Sequence, residues 1–249
     1  MRLQEAAEVL SARRQGDNVL FTGVSTDSRT VCPGELFVAL AGENYDGHQF
    51  VRAAQERGAV AAMVEHKLND AALSTDFPLV CVENTRSSLG QLSARWRQRF
   101  STPLAAVTGS NGKTTVKEML AAILREDVEE NGVMPVDRSS RVLATAGNLN
   151  NDIGVPLMLL RLREIHQYAV IEMGMNHAGE IAYLTHLAQP DVAVITNAGA
   201  AHIEGLGSVE AVARAKGEIF AGLSQQGAAV INADDDYAPL WRTLIGKRR

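Results

Sequence analysis

The chain has 249 residues, 46% of them hydrophobic, which is enough for one large folded domain or two smaller ones. Its net charge of −5, with acidic and basic residues interspersed, argues against a nucleic-acid-binding surface. Because no apolar run approaches the roughly 18 residues of a membrane span, and the residues after Met1 lack the apolar stretch of a secretory signal, we expect a cytoplasmic protein. Cys32 and Cys81 have no metal-ligand spacing and are expected to be small buried side chains.

The N-terminal third of the chain predicts a small α/β domain. An amphipathic helix opens it near Leu3, and short strand-like runs alternate with one further helix. The predicted strands are 19–24, 36–40, 60–64 and 79–82, and the predicted second helix is 50–57. We place a domain boundary near Glu83, so that 1–82 and 83–249 form two domains.

From residue 85 onward the pattern favours a parallel sheet. A helix over 85–100 is followed by alternating strands and helices, and each strand is a continuous apolar run of the kind that is buried on both faces. The predicted strands are 104–108, 168–172, 192–196 and 228–232. This order predicts a doubly wound sheet, in which ligands bind at the carboxyl ends of the strands. The polar segment 125–141 is expected to be a surface loop without an assigned function.

A candidate phosphate-binding loop follows the first of these strands. Its residues are Thr108-Gly109-Ser110-Asn111-Gly112-Lys113-Thr114-Thr115. The glycines let backbone N–H groups approach phosphate oxygens, Lys113 can reach the β- and γ-phosphates, and the Thr114 hydroxyl suits Mg²⁺. Val107 stands where the general pattern has glycine, so an ordinary helix opened by a glycine turn is the alternative.

The helix after this loop has a three- and four-residue apolar spacing, which predicts one buried stripe. The stripe comprises Val116, Met119, Leu120, Ile123 and Leu124. A buried stripe would hold the start of the helix, with its N-terminal dipole, against the sheet at the anion site.

Three further residues could contribute to chemistry at the same sheet edge. Glu172 ends a strand and suits Mg²⁺, although a strand-end Glu can equally cap the next helix. His202 lies in a glycine-rich loop, where it could be a ligand or a hydrogen-bond donor. Lys216 falls on a predicted helix, where a lysine is usually a solvated surface residue.

Several polar, turn-like segments could either bind a ligand or serve only as turns. The run 145–156 concentrates amides, which suit a polar ligand or a tight turn with a helix cap at Asp152. The runs 25–29 and 42–48 could form a pair of anion-binding loops or simple turns.

Together these segments resemble the Mur ligase family, the ATP-dependent amide-bond ligases of peptidoglycan precursor synthesis, along nearly the whole chain. The shortened phosphate loop is similar to the family's own, which accounts for Val107. The other segments that carry the resemblance are Ser25-Thr26-Asp27-Ser28-Arg29, Pro33 to Leu40, Asp46-Gly47-His48, Gly147 to Pro156 and Glu172 to Asn176.

The resemblance implies a small N-terminal UDP-binding domain and a doubly wound P-loop ATPase domain that is incomplete in this chain. It further implies that ATP phosphorylates the C-terminal carboxylate of UDP-N-acetylmuramoyl-tripeptide, and that the amine of D-alanyl-D-alanine attacks the acyl phosphate. We expect a cytoplasmic monomer that uses ATP and Mg²⁺ and has no nucleic-acid or membrane partner.

By position, the resemblance assigns roles to individual residues. The implied catalytic residues are Lys113, Glu172, His202 and Lys216. The implied ATP contacts are Gly109, Ser110, Asn111, Gly112, Lys113, Thr114, Thr115 and Asn197, and the implied metal residues are Thr114, Glu172 and His202. The implied substrate contacts are Ser28, Arg29, Asp46, His48, Asn148, Asn150 and Asn151. Lys216 matches a family lysine that is often carbamylated.

The sequence departs from the family in one large way, because it stops at Arg249 whereas members continue into a C-terminal domain that closes over ATP. We therefore expect little or no ligase turnover from this chain alone. The alternatives are the preceding Mur ligase, which adds the third stem-peptide residue, and a non-catalytic fragment that binds UDP-muramoyl peptide or ATP. A generic P-loop NTPase would leave the amide-rich and N-terminal segments unexplained.

Overall fold

The computed structural model describes residues 1–42, 45–66, 77–128, 138–200 and 203–248. The chain divides into two compact units, Met1–Arg95 and Trp96–Arg249. The boundary proposed near Glu83 stays a prediction. None of the helices in the described ranges is long and apolar enough to cross a membrane.

The first unit contains a five-stranded sheet with its own core. Its elements are α1 (Leu3–Val9), β1 (Arg13–Gln15), β2 (Gly23–Ser25), β3 (Glu35–Val38), β4 (Ala41–Gly42), β5 (Tyr45–Asp46), α2 (Val51–Glu56), β6 (Ala61–Glu65), β7 (Leu79–Val82) and α3 (Thr85–Arg97). The strand order is β1-β7-β6-β3-β2, with β1 antiparallel to β7 and the other neighbours parallel. Strands β4 and β5 form a separate antiparallel pair.

One apolar cluster of this unit lies between its sheet and α2. Buried Phe37, Val64 and Leu79 of the sheet belong to one apolar cluster with Val51 and Ala54 of the helix. The predicted strand over 19–24 is shorter in the structure, because Leu20 makes an isolated bridge to Arg2 and β2 begins at Gly23. The elements after it follow the predicted order.

The second unit is built on a parallel sheet. Its elements are β8 (Leu104–Thr108), α4 (Lys113–Asp127), β9 (Val142–Ala144), α5 (Gly154–Leu159), β10 (Tyr168–Glu172), α6 (Glu180–Ala188), β11 (Val192–Ile195), α7 (Ile203–Leu206), α8 (Val209–Gly217), β12 (Ala228–Ile231) and α9 (Ala238–Ile245). The strand order is β12-β11-β8-β10-β9, and all paired neighbours are parallel. The predicted doubly wound sheet is therefore confirmed, with β8 at its centre.

The register of the central strands brings their carboxyl ends to one edge. Glu172 of β10 pairs with Val107 of β8, and Ile195 of β11 pairs with Thr108. The residues that follow these strands consequently meet at a single place, as the alternating pattern predicted. Strand β9 was not expected, because three residues are too few to show a pattern.

Burial varies along the sheet. β8 and β10 are mostly buried, as predicted for strands covered on both faces. The same expectation is wrong for β12, where Val230 is exposed and the other residues are half-buried. β12 and β9 are the two outermost strands of this sheet, and β9 is mostly buried, so the exposure is particular to β12 rather than common to the edge strands.

The predicted stripe on α4 is wrong at two positions. Met119 and Ile123 are 61% and 64% exposed, whereas the fully buried positions of the helix are Lys117 and Ala121. Val116, Leu120 and Leu124 are partly buried against the core of the unit, as expected. The face of α4 that packs on the sheet is thus centred on Lys117 and Ala121 rather than on Met119 and Ile123. The prediction considered apolar residues only and therefore did not include the buried lysine.

The expectation for the cysteines also needs correction. Cys32 is exposed and Cys81 is half-buried, and both thiols are free. Cys81 lies in β7, where burial raises the pKa of its thiol. Cys32 lies in the loop before β3, where its backbone N–H donates to Glu35 Oε2 at 2.8 Å.

Candidate functional site

The candidate phosphate loop connects β8 to α4 through two glycines with positive φ. Gly109 has φ of +155°, and a Cβ there would lie 1.8 Å from Thr196 Oγ1. Gly112 has φ of +77° and immediately precedes the first residue of α4, Lys113. Both glycines are therefore required by the backbone, Gly109 also by close packing.

The loop is fastened to the segment that follows β11. Asn111 donates its N–H to Asn197 Oδ1 at 3.0 Å, and its carbonyl accepts from Asn197 Nδ2 at 3.0 Å and from Thr196 Oγ1 at 2.7 Å. The Ser110 hydroxyl accepts from the N–H of Gly199 at 2.8 Å. The loop is thus shaped before any ligand binds. Because the Asn197 amide is engaged with the loop itself, the contact of Asn197 with a nucleotide stays a prediction.

Lys113 lies across the loop that it terminates. Its Nζ donates to the carbonyls of Gly109 and Ser110 at 2.8 and 3.3 Å. Burial lowers the pKa of the Lys113 ammonium, and the negative charge of Glu172 partly opposes this shift. The next two residues, Thr114 and Thr115, are exposed on the first turn of α4.

Glu172 is a buried residue whose carboxylate and backbone N–H have three hydrogen-bond partners from distant parts of the chain. The residue as a whole is 2% exposed. Oε2 accepts from the Thr114 hydroxyl at 2.9 Å, Oε1 accepts from Asn150 Nδ2 at 2.8 Å, and the Glu172 N–H donates to Thr145 Oγ1 at 2.8 Å. The structure therefore joins a strand end, the phosphate loop helix and the amide-rich segment at one carboxylate. These contacts differ from the helix cap that was the alternative.

Lys216 lies near the end of α8 and is 1% exposed, so it is not the solvated surface lysine of the alternative interpretation. Burial is the main cause that lowers the pKa of its ammonium to about 8, and the positive charge of Lys113 adds to the effect. A large share of Lys216 is consequently neutral in mildly alkaline solution. His202 lies outside the described residues.

The amide-rich segment has two structural roles in the described chain. Asn150 donates to Glu172, as above, and its main-chain carbonyl accepts from the N–H of Gly174 at 2.7 Å. Asn151 Oδ1 accepts from the N–H of Gly154 at 2.8 Å, at the start of α5. The N-cap residue of α5 is Ile153, and the side chain that accepts the first helical N–H is that of Asn151, whereas the turn interpretation placed the cap at Asp152. Asn148 is exposed.

The candidate residues of the first unit lie in two loops. Arg29 forms an ion pair with Asp27 at 2.7 Å, and its side chain is 84% exposed. The hydrogen bond from the Arg29 side chain is the main cause that lowers the pKa of Asp27 to about 2. The neighbouring Ser28 is buried.

His48 is the most constrained candidate of the first unit. Its Nδ1 lies 2.5 Å from Asp46 Oδ1, and its Nε2 accepts from the N–H of Glu65 at 2.9 Å. The hydrogen bonds from the backbone and side chain of His48 lower the pKa of Asp46. Because both ring nitrogens are engaged, the imidazole fastens its loop to β6, and its substrate contact stays a prediction.

Two residues of the Glu172 environment had no predicted role: Lys117 was not a candidate, and Thr145 was named only as the first residue of the run 145–156. Lys117 is buried, and its Nζ donates to the Thr145 carbonyl at 2.9 Å and to Glu118 Oε1 at 2.5 Å. The spacing of Lys117, one turn after Lys113 and one turn before the apolar Ala121, could have indicated it. No local signal indicates Thr145, since its role depends on how β9 lies beside β10.

A central parallel strand that leads into a glycine turn, a lysine and a hydroxyl-bearing helix start defines the phosphate-loop class of nucleotide-binding proteins. Residues 107–249 match the model of the Mur ligase middle domain, and residues 20–97 match that of the Mur ligase family catalytic domain. The chain belongs to the Mur ligase family.

Two curated relatives carry the same name. The chain is 44% identical over 247 residues to the UDP-N-acetylmuramoyl-tripeptide–D-alanyl-D-alanine ligase of Escherichia coli K12, covering 99% of this chain and 51% of that protein. It is 39% identical over 224 residues to the ligase of the same name from Bacillus subtilis, covering 90% and 46%. The chain spans about half the length of the curated relatives it matches.

Solved structures give the same result. The match to MurF from Acinetobacter baumannii has a TM-score of 0.87 at 37% identity, over 99% of this chain and 51% of that one. The match to MurF ligase from Thermotoga maritima in complex with ADP has a TM-score of 0.75 at 32% identity, over 94% and 50%. The family and the incomplete α/β architecture predicted from the sequence are therefore confirmed.

Proposed function

We propose that this chain contributes the ATP site and the UDP-precursor site of a ligase that joins D-alanyl-D-alanine to UDP-N-acetylmuramoyl-tripeptide. The observation that carries the proposal is the cluster at one sheet edge, where Lys113 lies across the phosphate loop and Thr114 contacts the buried Glu172. The names of the E. coli and B. subtilis relatives support the choice of substrates. The ADP complex of the T. maritima relative supports nucleotide use.

The proposed reaction needs positive charge and N–H donors around the γ-phosphate. In it, the tripeptide carboxylate attacks the γ-phosphorus, ADP leaves, and the amine of D-alanyl-D-alanine then displaces phosphate from the acyl phosphate. Lys113 would face the transferring phosphate, with the N-terminus of α4 behind it, whereas the N–H groups of Ser110 and Asn111 donate to Asn197 and shape the loop. The Lys113 ammonium must exchange its two loop carbonyls for phosphate oxygens, which are stronger acceptors.

The hard oxygen donors at this edge fit Mg²⁺. The Thr114 hydroxyl and the Glu172 carboxylate lie 2.9 Å apart and both face the loop, and they would hold the ion together with His202. When bound, Mg²⁺ supplies charge neutralisation for the phosphates.

Lys216 is proposed to act in its carbamylated form. The neutral amine is the species that reacts, its lone pair forming a bond to the carbon of CO₂ with release of one proton. A pKa near 8 makes that species accessible. The product is an anion. It would place a negative charge near the Lys113 ammonium, where unmodified Lys216 places a positive charge.

The substrate contacts proposed in the first unit are Ser28, Arg29, Asp46 and His48, and those in the second are Asn148, Asn150 and Asn151. Asn197 and Thr115 are proposed as nucleotide contacts. We further propose that the protein is cytoplasmic, because both proposed substrates are soluble precursors. A monomeric state stays a prediction.

Isothermal titration of ATP with Mg²⁺ into the wild-type chain, Lys113→Ala and Lys247→Ala tests the ATP site. Lys247 is an exposed lysine and controls for the loss of one charge. We expect Lys113→Ala to weaken ATP binding by about 10- to 100-fold, the range for a charged hydrogen-bond donor, and Lys247→Ala to leave it unchanged. An unchanged affinity of Lys113→Ala would contradict the assignment of the loop.

A second titration tests the precursor. UDP-N-acetylmuramoyl-tripeptide is compared with the corresponding dipeptide precursor, the substrate of the preceding ligase. Preference for the tripeptide is the expected result. Preference for the dipeptide would favour the preceding ligase, whereas binding of either precursor without any ATP binding would favour a non-catalytic fragment.

A further inference from the structure

Glu172 is held by one residue of the phosphate loop and by two residues outside it. Of its two carboxylate oxygens, one accepts from Thr114 and the other accepts from Asn150. The carboxylate therefore has little rotational freedom, and the position of its backbone decides where it points. That backbone is held by the hydroxyl of Thr145, which accepts from the Glu172 N–H at 2.8 Å.

Thr145 is itself fixed at both of its backbone groups. Its N–H donates to the Val170 carbonyl at 3.0 Å, which continues the pairing of β9 with β10 by one residue. Its carbonyl accepts from Lys117 Nζ at 2.9 Å. Thr145 also opens the segment that carries Asn150, so that one residue places both the backbone and a side-chain partner of Glu172.

Lys117 is the unexpected member of this chain of contacts. Its residue is 1% exposed on α4, the helix that the phosphate loop opens, and its ammonium also contacts the partly exposed Glu118 carboxylate at 2.5 Å. Burying an ammonium costs several kcal/mol before its partners compensate, and an apolar side chain of the same length would avoid that cost. A structural role accounts for the buried Lys117 ammonium, because it connects α4 to the end of β9 beside Glu172.

We propose that Lys117 and Thr145 are positioning residues for Glu172, which hold its carboxylate facing Thr114 before nucleotide or metal binds. This inference rests on the proposed function, in which Glu172 contacts Mg²⁺. Outer partners of a metal-binding carboxylate fix its orientation, and their loss weakens metal binding without removing a ligand.

The test separates the metal-dependent part of ATP binding from the rest. Isothermal titration gives the Kd of ATP with Mg²⁺ and, in the presence of a chelator, without it. The ratio of the second to the first is the Mg²⁺ enhancement. It is measured for the wild-type chain, Lys117→Met, Thr145→Val, Thr145→Ser and the exposed control Lys247→Met, each with its melting temperature.

We expect Lys117→Met and Thr145→Val to lower the Mg²⁺ enhancement by about 10-fold or more, as is usual for outer partners of a metal site. Metal-free ATP binding should change much less, since the loop glycines and Lys113 remain. Thr145→Ser keeps the hydroxyl and should retain the wild-type enhancement, as should Lys247→Met.

A wild-type enhancement in both Lys117→Met and Thr145→Val overturns the positioning role, and so does an equal loss of binding with and without Mg²⁺, which marks a general structural effect. If Lys117→Met does not fold, the comparison of Thr145→Val with Thr145→Ser decides alone. Absence of any ATP binding by the wild-type chain overturns the proposed function, and the positioning role with it.

Discussion

The two groups of candidate residues differ in how they are held. At the sheet edge of the second unit, Glu172 and Lys216 are buried, and the phosphate loop is fastened by Glu172 of β10 and by Asn197 in the segment after β11. In the first unit, the exposed Arg29 and Asp46 contact residues two positions away in the sequence. Long-range contacts therefore fix the first group, and local contacts hold Arg29 and Asp46, although His48 of the first unit also reaches Glu65 in β6.

This difference has an energetic consequence. Buried charges are weakly screened, so each contact at the sheet edge affects pKa values and stability strongly. Exposed pairs are screened by water and contribute little to folding. Substitutions in the second unit should therefore disturb stability and binding together, whereas those in the loops of the first unit should alter local properties alone.

The largest effect is expected from Gly109→Ala. A Cβ at this position would lie 1.8 Å from Thr196 Oγ1, so the loop or β11 must move, at an expected cost of about 2–4 kcal/mol in stability and a loss of ATP binding. Chemical denaturation and ATP titration measure the two effects.

Gly112→Ala is the matched control for this substitution. Its Cβ would meet no atom within 4 Å, so only the strain of a positive φ remains, about 1–2 kcal/mol. If Gly109→Ala and Gly112→Ala lower the free energy of unfolding equally, the close approach of Thr196 adds nothing to the cost at Gly109.

An intermediate effect is expected from the pH dependence of Lys216. Because its folded pKa is about 8 and its ordinary value is 10.5, the unfolded state binds more protons between these values, and the stability of the fold rises with pH across that window. Lys216→Met should be more stable than the wild type at pH 7, by on the order of 2–3 kcal/mol, and this advantage should shrink as the pH rises from 8 to 10.5.

Urea denaturation of wild type and Lys216→Met at several pH values measures the difference directly, and groups common to both proteins cancel. Lys247→Met is the control, because it removes one ammonium that is exposed rather than buried. A stability difference between wild type and Lys216→Met that stays constant from pH 7 to 10.5 would mean that the buried ammonium is not the cause.

The smallest effect is expected from Arg29→Gln. Loss of the guanidinium removes the main cause that lowers the pKa of Asp27, so this pKa should rise from about 2 toward 3.8. The melting temperature at pH 7 should change little, because the pair is exposed. NMR titration of the Asp27 side chain measures the pKa, and a large drop in melting temperature would end the contrast between the two units.

Local sequence pattern was enough to predict the order of the main elements and the location of the main binding loop. The run from Thr108 to Thr115 is local, and the strand, glycine turn and helix that it predicts are present as predicted. The parallel doubly wound sheet was also predictable, since buried parallel strands are continuous apolar runs and these alternate with helices. Glu172 could be placed at the correct sheet edge because it ends such a strand.

Which polar side chains meet depends on how the strands and helices pack together. Lys117 interrupts an apolar stripe, and its partner Thr145 lies 28 positions away, beyond a segment without helical or strand periodicity. Asn197 similarly holds Asn111 from 86 positions away. Such contacts depend on strand order and register, which bring together residues that no local spacing relates. Local pattern therefore determined the elements and the loop, and the packing of β9, β10 and β11 around β8 determined the environment of Glu172.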